Sequence, residues 1–240
     1  MKKILLPILN SDDKYEVNPE KIIALGLNYS EHVKESAVLH KEIFDKKLPT
    51  EPVLFPKTPN VLIGNDDSII IPAFLRTDYD FKEFRVDYEA ELALIIKDRC
   101  KNVSVDEALE HVLGYTCMND VSMRNIQLCD KSGWFRGKSI DSFGPIGPVL
   151  VLSGDISDPH SLNIRCRLNG KVVQNSNTKN MIFTIPKMIS FISKHFTLEA
   201  GDIILTGTPD GIGPIKHGDI VEVEIDGIGT LRNPVWEETV

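Results

Sequence analysis

The sequence predicts an α+β fold dominated by a sheet or roll, and three observations carry that expectation. Short β-type runs recur along the chain, set off by glycine, proline and asparagine turns. Helical periodicity is confined to two or three segments. Strands do not alternate with helices as a parallel βαβ sheet requires, which argues against a Rossmann fold. The chain has 240 residues, enough for one large domain, expected to span 1–240, and 42% apolar residues supply a sizeable core.

Taken in order, residues 1–10 (MKKILLPILN) mimic the start of a signal peptide. Their apolar stretch is short, broken by Pro7 and followed by acidic residues rather than a cleavage site, so 1–21 read as a short N-terminal strand region of a cytoplasmic protein. A second apolar run, 22–26, ends in Leu27-Asn28-Tyr29. The chain then turns strongly polar over 30–51, where Ser30 is placed to cap a short helix carrying His32 and Glu35 on one face. Pro49 and Pro52 close this segment, which reads as a lid or a solvated decoration. Short strands are expected at 53–56 and 69–72. Ser104-Val-Asp-Glu107 is a capping-box pattern, and Val105, Ala108, Leu109 and Val112 follow at helical spacing. A strand at 114–118 delivers Asn119-Asp120. Asn169-Gly170 predicts a two-residue hairpin between 165–168 and 171–174. Ile185, Met188, Ile189, Ile192 and Phe196 predict a helix, with Pro186 near its start where proline is tolerated. Strands at 202–206, 219–225 and 229–232 complete the chain.

Composition removes several function classes. A formal charge of −8 disfavours non-specific nucleic-acid binding, though locally placed cations would still admit anionic substrates. No apolar run is long enough to span a membrane. Cys100, Cys117, Cys129 and Cys166 show no CxxC spacing and read as reduced structural thiols. The loop 207–213 (Gly-Thr-Pro-Asp-Gly-Ile-Gly) has neither the Lys-Ser/Thr of a P-loop nor the GxGxxG order.

The stretch that organises the chemistry is 87–96, DYEAELALII. In an extended strand Glu89 and Glu91 share one face, while Ala90, Leu92, Leu94 and Ile96 line the other. Two carboxylates side by side repel, and they are tolerated either in water, as the wet face of a half-buried strand, or around a cation. Oxygen-only ligands suit Mg²⁺, Mn²⁺ or Ca²⁺. Asp120 would make the pair a trio; its plainer role is to cap the following turn. Three carboxylates around a divalent ion leave the site negative, so an anionic substrate needs further cations. Arg124 and Lys138 are candidates, because both stand in polar, glycine-containing segments rather than on a helix surface; an ordinary surface lysine is the alternative for Lys138. His32, with Glu35 one turn away, is the candidate acid/base, against a solvated surface pair. His40, His111, His160, His195 and His217 stand in no comparable constellation.

Several stretches resemble the fumarylacetoacetate hydrolase family: Gly26-Leu-Asn-Tyr-Ser-Glu-His32-Val-Lys-Glu35, Pro52-Val-Leu-Phe-Pro-Lys57, Asp87-Tyr-Glu89-Ala-Glu91-Leu, and 114–127 with Asn119-Asp120 and Arg124-Asn-Ile-Gln127. Arg136-Gly-Lys138-Ser-Ile-Asp-Ser-Phe-Gly-Pro, 177–183, 201–213 and 229–234 follow in order. The resemblance implies a mixed β-roll, commonly a homodimer, with a single catalytic unit and no separate N-terminal domain. It implies Glu89, Glu91 and Asp120 as Mg²⁺ or Mn²⁺ ligands and His32–Glu35 as a lid dyad that activates water. It assigns Lys138 to catalysis and Arg124, Gln127 and Thr208 to contact with a small anionic keto acid. Its function would be divalent-metal-dependent hydrolysis of a carbon–carbon bond in acylpyruvate-like acids. Oxaloacetate decarboxylation and isomerisation of a 2-hydroxyhepta-2,4-diene-1,7-dioate-type acid are the alternatives from the same site. The lid sequence 37–50 transfers no specificity, and Ile140 replaces an aromatic residue common in the family.

Overall fold

The computed structural model describes residues 3–39, 47–82, 84–131 and 133–239. A seven-stranded sheet forms its centre, in the order Val53–Lys57, Ile22–Gly26, Ile203–Leu205, Ala90–Ile96, Val112–Asn119, Gly144–Leu152 and Leu62–Ile63. A five-stranded sheet runs Lys171–Asn177, Asn163–Leu168, Ile220–Ile225, Gly229–Glu237 and Ile69–Ile71. Most pairs are antiparallel, but Ile203–Leu205 lies parallel to Ile22–Gly26, Gly144–Leu152 to Leu62–Ile63 and Gly229–Glu237 to Ile69–Ile71. The expected α+β architecture, a mixed and curled β-roll with few helices, is what the chain adopts.

Residue alternation explains how the central sheet packs. Ile23, Leu25, Leu92, Leu94 and Ile96 point into a large core that also takes Ile164, Val223 and Leu231 of the second sheet. Ile22, Ala24, Ala93, Ile95 and Leu205 point the other way, into a second core with Ile4 and Leu6. The N-terminal region is a hairpin, Ile4–Pro7 with Lys14–Val17, that helps cover this second face. Glu89 and Glu91 therefore share a covered face, and the wet-face alternative is excluded: they are 4% and 1% exposed.

The Asn169-Gly170 hairpin forms as expected, because both residues take the positive φ that a type I′ turn demands (53° and 79°). Helix Ile185–His195 buries Ile185, Met188, Ile189 and Ile192 on the main core. Three expectations need correction. Residues 104–112 do not form an amphipathic helix: Ser104 and Glu107 exchange hydrogen bonds in a local turn, Val105 and Leu109 stay exposed, and only the 3₁₀ turn Ala108–His111 follows. Val112 already belongs to the next strand, so the apparent helical stripe is two surface residues and two buried ones. Ser30 is the first residue of helix Ser30–Leu39 rather than its cap, because the Val33 N–H donates to the Tyr29 carbonyl. Arg124 and Lys138 do stand on helices, as the site below describes. Residues 40–46 of the expected lid, His40 included, lie outside the described residues.

Candidate metal centre

The strand pair Ala90–Ile96 and Val112–Asn119 sets the centre. Ala90 faces Asn119 in register, so Glu89 and Glu91 at the head of one strand meet Asp120 just past the end of the other. Asn119 fixes the junction by accepting the Glu89 N–H at 2.9 Å, and the Asp120 N–H donates to the Glu89 carbonyl at 2.9 Å. One oxygen from each of Glu89, Glu91 and Asp120 lies within 4.8 Å of the others, and all three side chains are buried. Three hard oxygen donors brought this close together would hold a small divalent cation. An all-carboxylate donor set fits Mg²⁺ or Mn²⁺ and not a thiolate-seeking metal.

Buried cations surround the trio. The Lys138 ammonium donates to Glu89 Oε2 and to Asp120 Oδ2, each at 2.6 Å. Arg124 donates through Nη2 to Glu89 Oε1, through Nε to Asp87 at 2.8 Å and through Nη1 to Gln127 Oε1 at 2.9 Å. Both side chains come from short helices, Arg124–Cys129 and Phe135–Lys138, which pack closely on each other. The expectation that these two residues avoid helices is thus overturned; helices of six and four residues leave no periodicity in a sequence to read.

Sequence reasoning also gave no role to Lys57. It is 2% exposed and donates to Asp120 Oδ1 at 2.6 Å and to the Lys138 carbonyl. The signal was present in alternation: Phe55 and Lys57 share the buried face of strand Val53–Lys57, an unusual position for a lysine.

Charge is unevenly distributed. Burial opposes ionisation of Glu89, but Arg124 and Lys138 overrule it and hold its carboxyl well below the usual range. Glu91 is opposite: burial, then the neighbouring Asp120 and Glu89, push its carboxyl well above the usual value, and Lys138 and the Gly207 N–H at 2.7 Å offset this only in part. Burial lowers the Lys57 ammonium. Burial also pulls on Lys138, yet Asp120 and Glu89 outweigh it and raise that group. A divalent ion is what would favour an ionised Glu91 in this setting.

His32 enters from helix Ser30–Leu39. It is buried, its Nδ1 stands 3.2 Å from Glu35 Oε2, and Ser36 Oγ lies 3.5 Å from Nε2. Glu35 is held in turn by the Gly211 N–H at 3.0 Å, which ties the helix to loop 207–213. His32, Glu89, Glu91, Arg124, Gln127, Lys138 and Thr208 line one cleft with a free volume of about 30 Å³, room for about one water. Trp134 and Phe55 wall it, their rings 5.2 Å apart, and Lys138 Nζ sits 4.9 Å from the Phe55 ring centre. Every site residue anticipated from sequence therefore gathers at this cleft or, for Asp120 and Glu35, directly beside it. The arrangement can hold a divalent cation, receive an anionic oxygen-rich ligand and present a histidine base. Among the described residues, no helix is long and apolar enough to cross a membrane.

A curled, mixed sheet with a buried carboxylate trio at its centre defines a class of metal-dependent enzymes. The chain belongs to the fumarylacetoacetate hydrolase family, whose description, Fumarylacetoacetate (FAA) hydrolase C-terminal, matches residues 21–236. It is 44% identical over 227 residues to the mitochondrial oxaloacetate tautomerase fahd2 of Xenopus laevis, covering 91% of this chain and 66% of that protein. It is similar in structure to a 5-carboxymethyl-2-hydroxymuconate delta-isomerase from Mycobacterium smegmatis (TM-score 0.80, 39% identity, 94% and 82% of the two chains). The fumarylpyruvate hydrolase of Pseudomonas aeruginosa, solved with Mn²⁺ and pyruvate, superposes with a TM-score of 0.84 at 27% identity over 98% and 97%. Hydrolase, isomerase and tautomerase activities on small keto acids thus share this fold and family.

Proposed function

We propose that the chain hydrolyses a carbon–carbon bond in acylpyruvate-like acids, using a divalent ion held by Glu89, Glu91 and Asp120. The observation that carries this reading is the His32–Glu35 pair, docked through Gly211 into the cleft lined by the carboxylates. The bound ion, Mg²⁺ or Mn²⁺, would supply Lewis acidity toward the 2-keto and carboxylate oxygens. Glu35 receives the His32 Nδ1–H, which leaves Nε2, with Ser36 Oγ at 3.5 Å, as the ring nitrogen that accepts a proton from water. The resulting hydroxide adds to the distal carbonyl, and Lys138 offsets the charge that develops on its oxygen. The bond from that carbon to the methylene then breaks, its electron pair passing to the methylene carbon, which recovers the proton from His32. The products are a carboxylic acid and pyruvate. Arg124, Gln127 and Thr208 hold the substrate's anionic oxygens.

A second reading is favoured by the relatives: the tautomerase and the isomerase are more similar in sequence to this chain than the hydrolase. There His32 would move a proton between carbon and oxygen, with no water consumed. The test supplies Mg²⁺ or Mn²⁺, with and without chelator, to acetylpyruvate, fumarylpyruvate and oxaloacetate. Chelator-sensitive loss of a diketo acid with pyruvate appearing supports hydrolysis. Accelerated decay of enol-oxaloacetate without pyruvate supports the second reading. His32→Ala is expected to keep Mn²⁺ binding while hydrolysis falls at least about 10²-fold.

A further inference from the structure

Strand Lys171–Asn177 lies outside the cleft, yet one of its side chains reaches the cleft from behind. Gln174 is 1% exposed. Its Oε1 accepts the Ala90 N–H at 3.0 Å, between Glu89 and Glu91 in sequence. A backbone N–H is only a donor, so this contact fixes which end of the amide is oxygen. Nε2 must then donate, and it does so to Thr208 Oγ1 at 2.9 Å and to the Pro209 carbonyl at 2.8 Å. The close approach is built in: a Cβ at Gly211 would collide with the Val173 carbonyl, and Gly211 has φ +92°.

A hydroxyl has one hydrogen. Because Thr208 Oγ1 already accepts from Gln174, that hydrogen is left for the cleft that Thr208 lines. We propose that Gln174 is a positioning residue that orients the Thr208 hydroxyl: its Nε2–H fills one of the two acceptor lone pairs and cannot receive the hydroxyl hydrogen, which is thereby turned into the cleft to favour a carboxylate or carbonyl oxygen of the ligand over an N–H group. The same amide couples the carboxylate-bearing strand to the ligand-facing loop, so one side chain sets both. This inference rests on the reading above that Thr208 faces the substrate.

The test measures oxalate binding to the Mn²⁺-loaded protein by calorimetry, with Mn²⁺ affinity measured separately. Thr208→Val is expected to weaken oxalate about tenfold, and Thr208→Ser to stay near wild type. Gln174→Met should weaken oxalate by a factor similar to Thr208→Val, and the double variant by no more than the worse single one. Losses that multiply to about a hundredfold in the double variant would show that Gln174 does not act through Thr208. Full oxalate affinity in Gln174→Met would also overturn the inference while leaving Thr208 as a ligand contact. Full affinity in Thr208→Val would instead remove the substrate-facing role of Thr208 itself. Should Gln174→Met not fold, oxamate, which presents an amide N–H in place of one carboxylate oxygen, keeps the question open to measurement. The wild type should prefer oxalate, and that preference should shrink in Thr208→Val; an unchanged preference would overturn the donor assignment.

Discussion

Lys138 engages two carboxylates that a metal ion would also engage. Its ammonium is 2.6 Å from both Glu89 Oε2 and Asp120 Oδ2, so in the proposed site it repels a divalent ion while offsetting charge on a substrate oxygen. Two unit charges about 4 Å apart interact by about 4 kcal/mol at an effective dielectric of about 20. Relief of a third of that is about tenfold in affinity. Lys138→Met is therefore expected to bind Mn²⁺ at least about tenfold more tightly by calorimetry, while turnover falls about 10²- to 10⁴-fold. Weaker Mn²⁺ binding would instead mean that the ammonium serves to orient Glu89 and Asp120. Lys57, which keeps its hold on Asp120 Oδ1, remains in the variant to anchor that carboxylate. At this scale the sequence was informative where residue types were unusual for their setting. Paired glutamates heading an apolar strand stood out, as did a histidine and glutamate one turn apart. Gln174 did not, since its meaning depends on partners 84 and 34 residues away.

Short elements do the positioning. Helices Arg124–Cys129 and Phe135–Lys138 carry the two cations that bracket Glu89, and neither has a side-chain cap. What fixes them is contact: a Cβ at Gly137 would stand 2.7 Å from the Gln127 nitrogen and 2.8 Å from the Met123 carbonyl. Gly137→Ala must push the helices apart, an overpacking cost of about 2 kcal/mol. For a chain of this size that is about 4–8 °C in Tm, read by calorimetric melting. Because Arg124 and Lys138 move together, kcat should fall with it; a variant that melts early but turns over normally would detach the helix contact from the site. The elements legible in the sequence were those specified locally. Asn169-Gly170 names its own turn, and the alternation at 87–96 correctly separated the two strand faces. Two features were not legible. The false helix at 104–112 arose because a local Ser104–Glu107 turn imitates a cap, and spacing cannot say which apolar residues are buried. The covering of Glu89 and Glu91 depends on His32, Phe55, Arg124, Trp134 and Lys138, which line the cleft with them from four separate parts of the chain that no window of sequence contains.

For the whole molecule, the consequence is a site built against stability. Four buried carboxylates, Asp87, Glu89, Glu91 and Asp120, face three buried cations, Lys57, Arg124 and Lys138, at the centre of the roll. Glu91 is the member that burial and like charge push upward, and it accepts a hydrogen bond from the backbone N–H of Gly207, whereas Glu89 and Asp120 are hydrogen-bonded to cations. A carboxyl that burial and like charge push upward costs the folded state free energy at neutral pH, and an amide of the same shape avoids that cost, about 1 kcal/mol or more. Glu91→Gln keeps an oxygen for the Gly207 N–H and is neutral without taking up a proton, so the metal-free variant should melt about 2–4 °C above the metal-free wild type. Mn²⁺ should reverse the order. An ion present at about 100 times its Kd stabilises by about 2.7 kcal/mol, or about 5–11 °C here. The wild type should show that rise and lose it on chelation, whereas Glu91→Gln should show little or none. Both halves are needed, because a destabilised variant that also fails to bind Mn²⁺ would indicate ordinary damage to a buried position. A higher metal-free Tm together with a lost Mn²⁺ response is the pattern that places Glu91 in the centre for the ion's sake rather than the fold's.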